Sequence, residues 1–135
     1  MKVRASIKTP KDKPTVKQLD ALVREVVRLR DKRCRVCGSG APGLRYLQAA
    51  HFITRSNYAV RFDLDNVYLL CSGCHMMRRN SWHKDPASAV EFVRKALGKA
   101  GYQALRMRAA VIGQKIDKWA VKAYLEQELR KLKGG

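Results

Sequence analysis

Two C-x-x-C pairs bracket two short strand-like runs, and amphipathic helical periodicity lies on either side. Together these predict an α+β fold: a small core of two strands and a short helix closed by its cysteines, flanked by an N-terminal helix and by C-terminal helices. The 135 residues suffice for one modest domain with helical extensions but leave little core to spare, so a structural metal would add usefully to stability. The chain divides into a basic leader over 1–15, a basic helix over 16–33, a cysteine-bearing core over 34–85 and a basic helical region over 86–135.

The first helix is read over about 16–31. Thr15 and Gln18 stand at capping-box spacing, and Val16, Leu19, Leu22, Val23, Val26 and Leu29 follow on one stripe, with Lys17, Arg24 and Arg28 on the opposite face. From Cys34 the pattern changes to a glycine-rich knuckle, "CRVCGSGAPG", followed by a strand candidate, "LRYLQAAHFI". A polar loop, "TRSNYAVRFDLD", leads to a second strand, "NVYLL", and the second C-x-x-C opens a short helix near 72–80. Asp85 and Pro86 begin a helix that Gly98 stops, and two more helices are read over 100–112 and 117–132. The last one carries Trp119, Tyr124, Leu125, Leu129 and Leu132, and its two aromatics are assigned to the core rather than to base stacking.

Lysine and arginine outnumber aspartate and glutamate by 29 to 11, a formal charge of +18. At this size such a charge repels itself unless a polyanion shares it, which points to nucleic acid as the partner. The excess sits in the arms: 1–33 and 86–135 each carry 11 basic and four acidic residues, whereas 34–85 carries seven and three. "MKVRASIKTPKDKP" lacks the apolar segment of a signal peptide, and the longest wholly apolar run, Val67 to Cys71, falls far short of the ~20 residues that cross a bilayer. The expectation is a soluble protein of the cytoplasm with no membrane partner.

In a reducing compartment two C-x-x-C pairs favour metal over disulfides. Cys34 and Cys37 are separated from Cys71 and Cys74 by 33 intervening residues, and four thiolates so arranged can close a tetrahedral zinc shell. "CSGCH" also has the form of a haem attachment, but that leaves Cys34 and Cys37 without a role and expects export. Four thiolates saturate zinc, so His75 is available for other chemistry.

"QAAHFI", "LDNVYLL" and "CSGCH" set His51, Asn66 and His75 on a strand, a strand edge and a helix. This arrangement resembles the HNH, or ββα-metal, nucleases, many of which carry a zinc knuckle of flanking C-x-x-C pairs. "LQAAHFITRSN", "AVRFDLDNVYLLCSGC" and "RRN" are more closely similar to the NinG (Rap) recombination nuclease family of bacteriophages, over Cys34 to Asn80, about a third of the chain. The resemblance implies a zinc-stabilised ββα-metal core with His51 as general base. It implies that Asn66 orients His51 or holds the loop between the strands, and that His75 is a ligand of a catalytic Mg or Mn ion. Asn80, at the position of the family's second asparagine, is a further candidate ligand, as are Asp63 or Asp65; Asp63 is also read as a partner of Arg61 or a backbone cap. Many HNH nucleases place an Asp or His before the base, where this chain has Ala50. His83 is read as solvent-exposed.

The resulting expectation is a metal-dependent DNA endonuclease of phage or prophage recombination, acting in the bacterial host cytoplasm on branched DNA such as Holliday junctions and D-loops. Arg55, Arg61, Arg78, Arg79, Lys17, Arg24 and Arg28 are the expected DNA contacts, and a homodimer through the C-terminal helices would supply two symmetric cuts. The alternatives are a non-catalytic zinc-containing accessory protein that binds nucleic acid, and an RNA-binding protein, although no RNA-recognition signature accompanies the charge.

Overall fold

The computed structural model describes residues 13–40, 46–113 and 115–134, so most of the expected basic leader lies outside the described residues. The elements are α1 (Val16–Asp31), β1 (Leu47–His51), β2 (Val67–Cys71), a π turn (Gly73–Met77), α2 (Pro86–Ala109) and α3 (Lys118–Leu132). The fold is α+β, with helices around one two-stranded antiparallel sheet.

Thr15 starts α1 through a reciprocal capping box: its Oγ1 accepts from the Gln18 amide at 3.1 Å, and Gln18 Oε1 accepts from the Thr15 amide at 2.9 Å. Leu19, Val23, Val26 and Val27 form the buried face. At the other end the Asp31 side chain, 1% exposed, accepts from the Leu69 amide at 3.0 Å and pairs with Arg30 and Arg35. Burial alone would raise the pKa of Asp31. The hydrogen bonds from Arg30 and Leu69, with the charges of Arg30 and Arg35, outweigh it and hold the carboxyl below its ordinary value.

β1 and β2 pair antiparallel in a register from Leu47 opposite Cys71 to His51 opposite Val67. Every residue of β2 is buried. α1 packs against the sheet, and Tyr68 makes edge-on contacts with Trp82 and Phe92. Both strands are shorter or shifted relative to the sequence pattern: β1 covers the middle of its run, and β2 begins after Asn66, which closes the preceding loop, and ends on Cys71.

The expected helix over 72–80 is instead a single π turn. Arg78 is extended (φ −73°, ψ 159°), its amide donating to Gly73 O at 2.9 Å, and the chain then folds back so that the Trp82 and His83 amides donate to Cys74 O and His75 O at 2.9 and 3.1 Å. The physical reason is the anchoring of Ser81 and Trp82, which are 0% and 7% exposed and which a continuing helix would carry away from the core.

α2 is interrupted where the sequence places a stop. Gly98, at φ 74° and ψ 171°, separates two helical segments. Asp117 caps α3 by accepting from the Ala120 amide at 3.1 Å, and α3 packs along α1 with Leu125 fully buried. Tyr124, expected in the core, is 47% exposed, and Leu132 is 40% exposed, because the contact with α1 takes up a narrower stripe of α3 than its apolar residues occupy. One cluster of buried residues runs from Leu19 through both strands to Leu125, so the N-terminal helix, the cysteine-bearing segment and the C-terminal helices share a core. Among the described residues no helix is long and apolar enough to cross a membrane.

Candidate functional site

The end of α1 delivers Cys34 and Cys37, the last residue of β2 is Cys71, and the π turn carries Cys74. Their four sulfurs all lie within 4.8 Å of one another, with Cys37 Sγ and Cys71 Sγ 3.7 Å apart. A tetrahedral ion with metal–sulfur bonds of ~2.3 Å sets sulfurs ~3.8 Å apart, so the cluster fits a structural metal such as zinc. In each pair the second cysteine's amide points at the first cysteine's sulfur, Cys37 N to Cys34 Sγ at 3.5 Å and Cys74 N to Cys71 Sγ at 3.4 Å. Gly38, at φ 79°, lets the chain turn past the first pair. The Ser39 amide and the neighbouring thiols lower the Cys37 pKa to about 7, while burial pushes the Cys74 thiol up. Arg78 donates from Nη1 to Cys74 Sγ at 3.5 Å and so faces the cluster. His75 is not part of the sulfur cluster.

Beside the cluster lies a cavity of about 840 Å³ whose wall includes His51, His75 and His83, every histidine in the chain. Its apolar side is made by Val23, Phe52 and Trp82, and Asp20, Arg24, Arg55 and Arg106 bring charge to it. Ala49 and His51 alternate along β1 onto this wall, while Ala50 between them is fully buried opposite Tyr68. The residue before the expected base therefore contributes nothing to the cavity.

His51 Nε2 is 2.9 Å from the carbonyl oxygen of Arg61. A carbonyl only accepts, so Nε2 carries the proton and Nδ1 keeps the lone pair of a base. Burial lowers the pKa of His51, and the charges of Arg55 and Arg61 add to that, against the Arg61 carbonyl and Asp20, which raise it. The neutral ring is thereby favoured.

The side chain of Asn66, 0% exposed, hydrogen-bonds to the loop and not to His51. Its Oδ1 accepts from the Ile53 amide at 2.7 Å, and its Nδ2 donates to Ile53 O and Val60 O at 3.0 and 3.1 Å, bracing both ends of the loop between the strands. Val60 precedes Arg61, whose carbonyl holds His51, so of the two expected roles the structure selects the loop brace.

His75 Nδ1 lies 2.7 Å from Gln48 Oε1, so Nδ1 donates and Nε2 is left with its lone pair. Burial lowers its pKa, and the nearby His83 and His51 act in the same direction. His83 is exposed, as expected, yet its ring meets that of His75 edge-on with centroids 4.9 Å apart. Asn80 is also exposed and does not line the cavity; its carbonyl accepts from Ser88.

The expected DNA contacts separate into groups. Arg24 and Arg55 are exposed, line the cavity and make no ion pair among the described residues. Lys17 and Arg28, both exposed, share the ridge of α1 that carries Arg24. Arg79 is exposed on the loop after the π turn. Arg61 is engaged elsewhere, in a two-pronged pair with Asp20 at 3.0 and 2.7 Å, and Arg78 faces sulfur. Asp63, read as a partner of Arg61, pairs with Arg108, which also reaches Asp65, so neither carboxylate belongs to the cavity. Sequence reasoning missed Gln48, Asp20 and Arg106. Only Gln48 carried a signal, as a polar residue within an otherwise apolar strand; the other two reach the cavity through long-range packing. No family model, curated protein or solved structure matches this chain.

Proposed function

We propose that the chain is a metal-dependent DNA endonuclease of the HNH type, similar to the NinG nucleases of phage recombination and acting on branched DNA. One observation carries the reading: His51 has one nitrogen committed to the Arg61 carbonyl and lines a cavity shared with His75 and bordered by three arginines. Hydrolysis of a phosphodiester needs a base for water, compensation for charge on phosphorus and neutralisation of a leaving oxygen. His51 Nδ1 takes the proton of the attacking water as the new P–O bond forms and the P–O bond to the leaving oxygen breaks. Arg24, Arg55 and Arg106 draw the phosphate to the cavity and offset its charge. His75, its tautomer set by Gln48, offers Nε2 to Mg or Mn. A divalent ion bound there would supply Lewis-acid stabilisation of the phosphate and the leaving oxygen. The role of the sulfur cluster, filled by zinc, is to hold the π turn that carries His75.

The test is cleavage of end-labelled linear, forked and four-way DNA by the zinc-loaded protein with Mg or Mn, with and without EDTA. The expected outcome is metal-dependent cutting that favours the four-way substrate. His51→Ala should keep DNA binding while losing about 10²–10⁴-fold in rate. Undiminished cutting by His51→Ala would remove the assignment of the base. Tight binding with no cutting of any substrate by the intact protein would favour the second reading, a zinc-containing accessory protein, which rests on the cysteine cluster and the charge of +18. Competition by structured RNA of equal length would show whether RNA is the polyanion instead.

A further inference from the structure

His83 lies eight residues beyond His75, and two backbone hydrogen bonds bring it back. The Trp82 amide donates to Cys74 O at 2.9 Å and the His83 amide to His75 O at 3.1 Å, which sets residues 82–83 alongside the π turn. Trp82 fixes this return, being 7% exposed and packed edge-on against Phe52 and Tyr68. The two histidine rings end 4.9 Å apart at 88°, on the wall of one cavity. Two imidazoles bound through nitrogen to a single ion stand roughly 4.5–5.2 Å apart between ring centres, for bonds of ~2.1 Å and angles from octahedral to tetrahedral. The observed separation falls within that range.

We propose that His75 and His83 together form a two-imidazole site for one divalent ion on the cavity wall. Gln48 fixes the His75 ring so that Nε2 is the ligand atom. The carboxylate nearest this wall, Asp20, is tied to Arg61, so the protein gives two nitrogen ligands and leaves the remaining positions to water or a phosphate oxygen. Imidazole ligands favour ions of the Mn, Co, Ni and Zn class over Mg. The inference deepens the nuclease reading by naming the second ligand of its ion, and it rests on that reading only for the ion's catalytic use.

The test measures binding, not cleavage. Full-length protein with the sulfur cluster loaded with zinc is titrated with Ni in the absence of DNA, followed by calorimetry and by the NMR resonances of the histidine rings. One further equivalent should bind and perturb the rings of His75 and His83 together. His83→Ala and His75→Ala should each weaken binding at least about tenfold, and Gln48→Leu about 10–100-fold. Binding to His83→Ala as tight as to the intact protein overturns the proposal, as does the absence of a second equivalent in the intact protein. Because the ring resonances are read on the unaltered chain, a variant that misfolds does not decide the result. Two-histidine binding without any DNA cleavage leaves this site standing and removes the nuclease reading, whereas cleavage with unchanged affinity in His83→Ala does the reverse.

Discussion

At the scale of single residues, Arg61 does two things at once: its guanidinium grips Asp20 on α1 while its carbonyl holds His51. Because the folded-state pKa of His51 is lowered, the unfolded chain binds its proton more readily between the ordinary value of about 6.5 and the folded value. The contribution of His51 to stability is therefore complete above that ordinary value and is lost as pH falls through the folded value. The acid limb of kcat/KM against pH should lie below 6.5 for the same reason, and a limb at or above it would contradict the buried neutral base. Asn66→Ala removes an amide that closes three backbone hydrogen bonds and should cost about 3 kcal/mol in urea unfolding, with loss of activity following loss of the loop. The place of His51 at the end of a strand was legible from alternation, but the carbonyl that sets its tautomer, ten residues along in a loop, was not. No local pattern announces which backbone oxygen a folded loop will present.

At the scale of elements, sequence signals worked where they were local and failed where packing decided. The capping box of α1, the break at Gly98 and the start of the last helix near 117 all appear at their sequence positions, because each is settled within a few residues of chain. The short helix after Cys74 was misjudged, since the return of Trp82 to the aromatic cluster outweighs continued helix. Gly98→Ala meets no neighbouring atom, so its effect isolates backbone strain; at φ 74° and ψ 171° it should cost about 2 kcal/mol, read from the urea midpoint. A change below about 0.5 kcal/mol would mean that the two segments of α2 can realign into one helix. Thr15→Ala, which loses one half of the capping box, should cost about 1 kcal/mol.

At the scale of the molecule, 29 basic residues against 11 acidic ones leave a net charge of +18, and arginines from three separate parts of the chain line the cavity: α1, the loop after β1 and α2. If the arms carry DNA affinity, Arg106→Ala should weaken binding to linear and branched DNA alike and reduce the log–log salt slope by about one. An unchanged slope would remove Arg106 from the phosphate contacts. α3 already buries Leu125 against the rest of the chain, so a dimer through the C-terminal helices would use their outer surfaces. Light scattering with four-way DNA should then give two chains per junction, and a single chain per junction would rule out paired cutting. The charge excess was plain in composition, but its convergence on one cavity was not, because Arg24, Arg55 and Arg106 are brought together only by the fold.

The two hydrogen bonds that return residues 82 and 83 to the π turn have a consequence for how the protein is made. Cys71 and Cys74, the turn, His75 and His83 all lie on one short stretch of backbone, residues 71–83. If the thiols take up zinc, the ion ties Cys71 and Cys74 to Cys34 and Cys37, so metal capture and the placing of His75 would be linked. Zinc supply would then act as the maturation step for the cavity.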